Sequence, residues 1–114
     1  MKPFTQYFGL GTQLRVRGHV NEHGRYHGKY EVFYYSGNIQ ETCYYIDGKL
    51  HGISKMWDDN TGVLTRHDLW ANHVIIHDFM ANKITEEELL MLCCEHGIRI
   101  PKGELNDKSE SYTC

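Results

Sequence analysis

Short stretches of alternating apolar and polar residues run through the first 80 residues, which is typical of β-strands. In residues 39–46, one face would carry Ile39, Glu41, Cys43 and Tyr45, and the other Gln40, Thr42, Tyr44 and Ile46. Neither face is purely apolar, which favours a twisted antiparallel meander over a closed sandwich. Further strands are predicted at residues 14–17, 30–35, 53–57, 63–70 and 74–79.

The pattern changes after residue 80, where residues 85–96 carry the signals of an α-helix. Thr85 and Glu88 have the spacing of a capping box, and Ile84 and Leu89 can form a hydrophobic staple. Gly97 lies where a left-handed residue commonly ends a helix. We expect this helix to cover one end or face of the sheet, although its apolar stripe could instead bind a partner.

Part of the strand region is repeated. Residues 24–34 align with residues 48–58 at an offset of 24, which matches Gly24 with Gly48, His27 with His51, Gly28 with Gly52 and Phe33 with Trp57. After one extra residue the offset becomes 25, and Gly37 matches Gly62, Ile39 Leu64, Tyr44 Leu69 and Tyr45 Trp70. A weaker earlier copy extends from Tyr7 to Gly18. Each unit is expected to form a β-hairpin.

Asp47 and Gly48 predict a tight type I′ turn after the first copy, because this turn needs positive φ at both central residues. The second copy has Ala71, Asn72 and His73 where Asp-Gly-Lys would stand. We therefore expect the second copy to lack this closing turn.

These motifs resemble a known repeat family. The unit contains Gly-(Arg/Lys)-x-His-Gly, an aromatic residue, Ser-Gly-Asn or Thr-Gly-Val, and a closing Tyr-Tyr-Ile-Asp-Gly-Lys. Residues 24–70 thereby resemble the MORN-repeat variant of YwqK-type antitoxin-like proteins, which occurs in bacterial, phage and large-virus proteins. The chain lacks the tandem Tyr-x-Gly-x-Trp blocks of longer arrays, so membrane binding is not carried over. The resemblance implies a chain of MORN-like β-hairpins that acts as a non-enzymatic scaffold or inhibitory binding surface.

A chain of 114 residues predicts one domain. The predicted fold is mainly β with a C-terminal helix: a hairpin-repeat sheet over residues 1–80, a capping helix and turn over 81–103, and a flexible polar tail over 104–114. Residues 1–18 could be a repeat or a docking arm. The sequence contains no 18-residue apolar stretch, so we expect no membrane span.

The expected location is the cytoplasm, or the host cytoplasm for a viral protein. The first residues contain no apolar stretch typical of a secretory signal. The cysteines are Cys43, Cys93, Cys94 and Cys114, whose spacing does not suggest a disulfide framework. We therefore expect reduced thiols.

The net charge of −3 disfavours nucleic acid as a partner, because a phosphate backbone requires a basic surface. Among the eight histidines, His73 and His77 have a four-residue spacing that would suit a metal site on a helix. In a strand the two residues would lie roughly 13 Å apart, too far to share one ion. His27 and His51 are better explained as turn residues of the repeat. We predict no catalytic residues, no metal ligands and no cofactor.

The aromatic residues are the main functional candidates. Phe33, Tyr45, Trp57 and Trp70 are expected in the core, whereas the predicted binding surface comprises Tyr26, Tyr30, Tyr34, Tyr35 and Tyr44. Tyrosine is common at protein interfaces. The sequence therefore predicts a non-enzymatic module that binds another protein through an aromatic sheet face or a strand edge, in its most concrete form an antitoxin-like or defence-blocking inhibitor.

Two alternatives belong to other classes. One is a small metal-dependent hydrolase or nuclease that uses His67, Asp68, His73 and His77. The other is a structural protein that assembles with further copies of itself through exposed strand edges.

Overall fold

The computed structural model of the protein describes residues 1–101 and contains eight strands and one helix in that range. The strands are β1 (Lys2–Tyr7), β2 (Leu14–Val20), β3 (Gly28–Phe33), β4 (Ile39–Ile46), β5 (Lys49–Leu50), β6 (Gly52–Trp57), β7 (Leu64–Ala71) and β8 (Val74–Asp78), and the helix is α1 (Glu86–His96). All strands form one sheet in the order β1-β2-β3-β4-β6-β7-β8, and β5 pairs with β4. Each strand pair is antiparallel. The predicted meander with a C-terminal helix is confirmed, while the predicted tail lies outside the described residues.

Several strand predictions need correction. β2 extends to Val20 rather than ending at residue 17, and β5 was not predicted. β1 was not predicted, because its residues are mostly exposed and show no regular apolar alternation. β3 begins and ends two residues before the predicted strand, since Tyr34 already belongs to the loop that connects β3 with β4. There, the Tyr34 backbone N–H donates a hydrogen bond to the Asn38 carbonyl oxygen at 2.9 Å.

Three hairpins, β1–β2, β3–β4 and β6–β7, share the same internal geometry. Each has a register shift just before its final pair, an aromatic residue opposite an aliphatic one: Tyr7 with Leu14, Phe33 with Ile39, and Trp57 with Leu64. Each loop is closed by an equivalent backbone hydrogen bond of 2.9 Å, from Phe8 to Gln13, from Tyr34 to Asn38, and from Asp58 to Val63. The first 20 residues therefore form a third copy of the hairpin unit.

The turn expected to be lost in the second copy is present. Asp47 and Gly48 have φ values of 49° and 84°, and Asn72 and His73 have φ values of 49° and 70°. Both residue pairs therefore provide the two positive φ angles of a type I′ turn. His73 is held there by Leu50, whose carbonyl accepts the His73 N–H at 2.7 Å and whose N–H donates to His73 Nδ1 at 3.1 Å.

The helix packs against one face of the sheet at β6 and β7. The buried cluster there consists of Ile53, Leu69, Ala71, Leu89, Cys93, Ile98 and Ile100. The predicted N-cap at Thr85 is confirmed, because Thr85 Oγ1 accepts the Glu88 N–H at 3.1 Å. Glu88 Oε1 accepts the Thr85 hydroxyl at 2.9 Å rather than the Thr85 backbone N–H that completes a capping box. Gly97 ends the helix with a φ of 65°, as expected. The helix thus covers one face of the sheet. No helix within residues 1–101 covers the opposite face.

The cysteines are only partly as expected. Cys43 and Cys93 are buried free thiols, whereas Cys94 is disulfide-bonded, so the expectation of reduced thiols is wrong at this position.

Within residues 1–101, no helix has the length and apolar character that crossing a bilayer requires.

Candidate functional site

The strand pairing determines which side chains lie opposite the helix. Ile53 faces α1 in the buried cluster, and Lys55 lies on the same face because side chains alternate along a strand. Thr42 pairs with Lys55, so the neighbouring Cys43 and Tyr45 belong to the opposite face, here called the helix-free face. This face carries the most extensive group of aromatic rings in the described chain.

Four rings on the helix-free face form a contiguous aromatic cluster, which consists of Phe4, Tyr26, Tyr30 and Tyr45. Tyr26 lies between the other three, with ring centroids 5.6 Å from Phe4, 5.1 Å from Tyr30 and 5.3 Å from Tyr45. The Phe4 and Tyr26 rings are stacked at an interplanar angle of 20°, and Tyr30 meets Tyr45 edge-on at 5.4 Å. Such offset and edge-on arrangements are favourable for aromatic pairs.

A glycine makes room for this cluster. Gly18 lies opposite Phe4 in the β1–β2 ladder. A Cβ atom at Gly18 would lie 3.0 Å from the Phe4 ring and 3.1 Å from the Tyr30 ring. The missing side chain therefore allows rings from three strands and a turn to approach one another over the backbone of β2.

Burial sets the protonation of the cluster. Desolvation, followed by the neighbouring Tyr26, raises the pKa of Tyr30, and desolvation also raises the pKa of Tyr45. Beneath them, burial raises the pKa of Cys43 to about 12, with Glu41 contributing. The two hydroxyls and the thiol therefore stay neutral near pH 7, and Tyr26 is still 38% exposed. The cluster can offer an apolar surface with hydroxyl groups at its edge.

A polar network borders the cluster beside Tyr26. Asp47 accepts hydrogen bonds from Asn21 Nδ2 at 2.9 Å and from Arg25 Nη1 at 3.0 Å. The hydrogen bond from Asn21 and the charge of Arg25 lower the pKa of Asp47. The Gly48 N–H donates to the Tyr26 carbonyl at 2.8 Å, which attaches Tyr26 to the same turn. The arrangement is an apolar centre with a charged rim.

The structure brings together only two of the five predicted binding residues, Tyr26 and Tyr30. Tyr34 follows the far end of β3, where its hydroxyl donates to the Trp57 carbonyl at 2.6 Å. Tyr35 is 73% exposed and meets the Phe8 ring at 5.4 Å. Tyr44 belongs to the face that α1 packs against, because it neighbours Tyr45 in the strand.

Sequence reasoning missed two members of the cluster. Phe4 lies in β1, for which no alternation pattern was available. Tyr45 was expected in the core together with three other rings, and all four are partly buried in the structure: Phe33, Tyr45, Trp57 and Trp70. The offset-25 alignment of Tyr45 with Trp70 gave no means of telling which face would be covered by the helix.

The repeat histidines have the predicted structural role. His27 Nδ1 accepts the Asp47 N–H at 3.2 Å, and His51 Nδ1 accepts the Asn72 N–H at 3.1 Å. Each imidazole thus bridges one hairpin unit to the type I′ turn that follows it.

The residues of the hydrolase alternative do not converge. His67 and Asp68 point to opposite faces as strand neighbours, and Asp68 pairs with Arg66. The His67 ring packs against Phe79 at 4.6 Å, while His73 Nδ1 bonds to the β5 backbone. Over the described range, no group of three or more His, Cys, Asp or Glu side chains could hold a metal ion. The geometry gives this alternative no support.

Comparison of the chain with protein-family models, curated proteins and solved structures finds no match. The resemblance of residues 24–70 to MORN repeats therefore stays a prediction. The aromatic cluster is the feature whose chemistry best suits recognition, because it combines large apolar area with hydroxyl groups on a rigid sheet.

Proposed function

We propose that the protein is a non-enzymatic module that binds another protein through the aromatic cluster of the helix-free face. The observation that carries this proposal is the contiguous contact of Phe4, Tyr26, Tyr30 and Tyr45 outside the helix-packed core. Tyrosine rings supply contact area at low cost in conformational entropy, and they are enriched where binding energy concentrates.

The surroundings of the cluster match the anatomy of a protein interface. Such interfaces have an apolar centre and a polar rim that remains in contact with water. Here the rings form the centre, and the Asn21–Arg25–Asp47 network forms one side of the rim. Because these rings pack against one another, they leave no slots for successive stacked bases, which favours a protein over single-stranded nucleic acid.

The cluster is also preorganised for binding. Phe4, Tyr30 and Tyr45 are each fixed in a strand of the same sheet, and Tyr26 forms an isolated bridge with Val20. A surface that is already ordered loses less conformational freedom on association than a flexible one. An inhibitor that blocks its target by occupying a surface needs this property, which supports the antitoxin-like or defence-blocking form of the proposal. Its location in the cytoplasm is part of the same proposal.

The decisive experiment compares two tyrosines at opposite ends of β3. Tyr26→Ala should remove a co-purifying partner from the tagged protein recovered from its own cells, whereas Tyr35→Ala should not. Truncation of a central interface tyrosine commonly costs about 2 kcal/mol or more, roughly a thirtyfold loss of affinity. Native mass spectrometry measures the stoichiometry, and thermal unfolding of each variant shows whether the fold is retained.

Three results would reject the proposal: no partner on the wild-type chain, equal recovery with both variants, or loss of the partner only when Tyr26→Ala unfolds. A homo-oligomer that persists in Tyr26→Ala would instead support self-association. The outer strands β1 and β8 each pair on one side only within the described sheet, and Val74 and Ile75 on β8 are 62% and 41% exposed.

A further inference from the structure

A cavity of about 480 Å³ lies between the hairpin turns and the segment that follows α1. Its apolar lining includes Met1, Ile46 and Pro101, and its polar lining includes His27, His51 and Arg99. No aspartate or glutamate lines it. Apart from two tyrosines, the titratable side chains that line the cavity are all basic. The cavity therefore differs in charge from the chain as a whole, whose net charge is −3.

The repeat geometry shows that one donor in this cavity is unused. His27 and His51 occupy equivalent positions, and the Nδ1 of each accepts a backbone N–H from the following turn. A neutral imidazole with Nδ1 as the acceptor carries its proton on Nε2. His51 Nε2 lies 3.1 Å from the Gly97 carbonyl oxygen and donates to it. In the described part of the chain, His27 Nε2 has no corresponding acceptor.

Arg99 supplies a second unused donor. Within residues 1–101 its guanidinium makes no ion pair or hydrogen bond. The nearest carboxylate to His27 along the turn, Asp47, is already bound by Asn21 and Arg25. With His27 neutral, the cavity therefore offers one full positive charge and one N–H donor beside an apolar wall.

We propose that this cavity binds a carboxylate attached to an apolar body. A carboxylate has one negative charge, which Arg99 balances, and two oxygens, which can accept from the guanidinium and from His27 Nε2–H. The apolar body would contact Met1, Ile46 and Pro101, where its burial adds binding energy. This site is separate from the aromatic-cluster proposal and does not depend on it.

Three matched probes test the proposal on the full chain labelled with ¹⁵N. Phenylacetate has the carboxylate and the apolar ring, phenylacetamide lacks the charge, and acetate lacks the ring. Saturating shifts of the His27 Nε2 and Arg99 Nε signals are expected with phenylacetate, at concentrations at least about tenfold below those required by the other two probes. The peptide Gly-Gly-Phe is then compared with phenylacetate. Tighter binding of the peptide would indicate a peptide C-terminus as the ligand, and tighter binding of phenylacetate would indicate a small free acid.

Matched variants separate the site from general charge effects. Arg99→Gln and His27→Asn should each weaken phenylacetate binding about tenfold or more, since asparagine can still accept the Asp47 N–H but lacks the Nε2 donor. Arg15→Gln removes the same charge elsewhere on the surface and should leave binding unchanged. If His27→Asn unfolds, the exposed Arg99→Gln decides alone. Absence of saturable shifts with phenylacetate, equal binding of phenylacetamide, or unchanged binding by Arg99→Gln overturns the proposal.

Discussion

Glu41 lies on the helix-free face two residues before Cys43, where it is half-buried. Burial raises the pKa of its carboxyl group, and the positive charge of Arg66 opposes this shift. Arg66 is shared, because it also pairs with the buried Asp68. A single guanidinium therefore acts on two carboxylates, and its hydrogen bond goes to Asp68 rather than to Glu41.

This position gives a pH-dependent stability. An acid whose pKa is raised in the folded chain holds its proton more tightly when folded, so its favourable contribution is complete below the unfolded pKa of roughly 4.3. It is lost as the pH rises through the folded pKa. Glu41→Gln, which keeps the neutral shape, should therefore be more stable than the wild type at pH 7 and equal to it at pH 3.

Urea unfolding at the two pH values measures this difference, with the exposed Glu22→Gln as a control that should change little at either pH. A Glu41→Gln variant that is less stable at pH 7 would show instead that the attraction of Arg66 outweighs desolvation.

At the scale of single residues, roles that follow from a residue's position in the repeat could be predicted from the sequence. Roles that depend on contacts between residues distant in the chain could not. The equivalence of His27 and His51 was enough to assign both to turns. Nothing in the local pattern distinguished Tyr34 from Tyr35, because the difference comes from a carbonyl 23 residues away that only Tyr34 reaches. The membership of Phe4 in the aromatic cluster likewise depends on pairing between strands.

Among the elements, the helix is the one whose ends were predicted most closely, because its start and stop signals lie within the helix itself. Thr85 Oγ1 accepts the Glu88 N–H, and the Gly97 N–H donates to the Cys93 carbonyl oxygen, so each contact spans at most four residues. The Asn72–His73 turn was missed for the opposite reason. The unfavourable positive φ angle of His73 is offset by its two hydrogen bonds with the Leu50 backbone. Leu50 lies 23 residues earlier in the chain, so a short window of sequence does not contain both residues.

Removal of the helix cap gives a test at this scale. Thr85→Ala deletes the hydroxyl that accepts the Glu88 N–H and should lower the free energy of unfolding by about 1 kcal/mol. The exposed loop residue Thr12 provides a matched control, since Thr12→Ala should have an effect within about 0.5 kcal/mol of zero. Chemical denaturation of both variants checks this, and equal effects would mean that the cap contributes nothing measurable.

Across the whole molecule, apolar burial is distributed unevenly. The buried cluster under the helix draws its residues from positions 53–100, whereas β1 is exposed along most of its length and Val16 is the buried apolar side chain of β2. Equivalent hairpins therefore have unequal support from the core. The repeat pattern predicted the hairpins, whereas we expect the relative stabilities of the three hairpins to depend on which of them the helix covers.

Amide hydrogen exchange should reveal this gradient. We expect the β1–β2 amides to exchange through local opening at a lower free energy than those of β6–β7, because few buried apolar contacts oppose the opening. The comparison is internal to one sample, since β3–β4 should be intermediate. Uniform protection of all three hairpins would show that the sheet opens as one cooperative unit.

The strand order has a mechanical consequence. Because strand order in the sheet follows chain order and the outer strands are β1 and β8, a load applied between these two strands acts across the hydrogen-bonded ladders. Such a load breaks a ladder one bond at a time. In an optical trap, we expect hairpins to detach in sequence from the β1 side, each step lengthening the tether by roughly 80 Å at ~3.4 Å per residue. One abrupt rupture of the full length would mean that the sheet resists force as a single body.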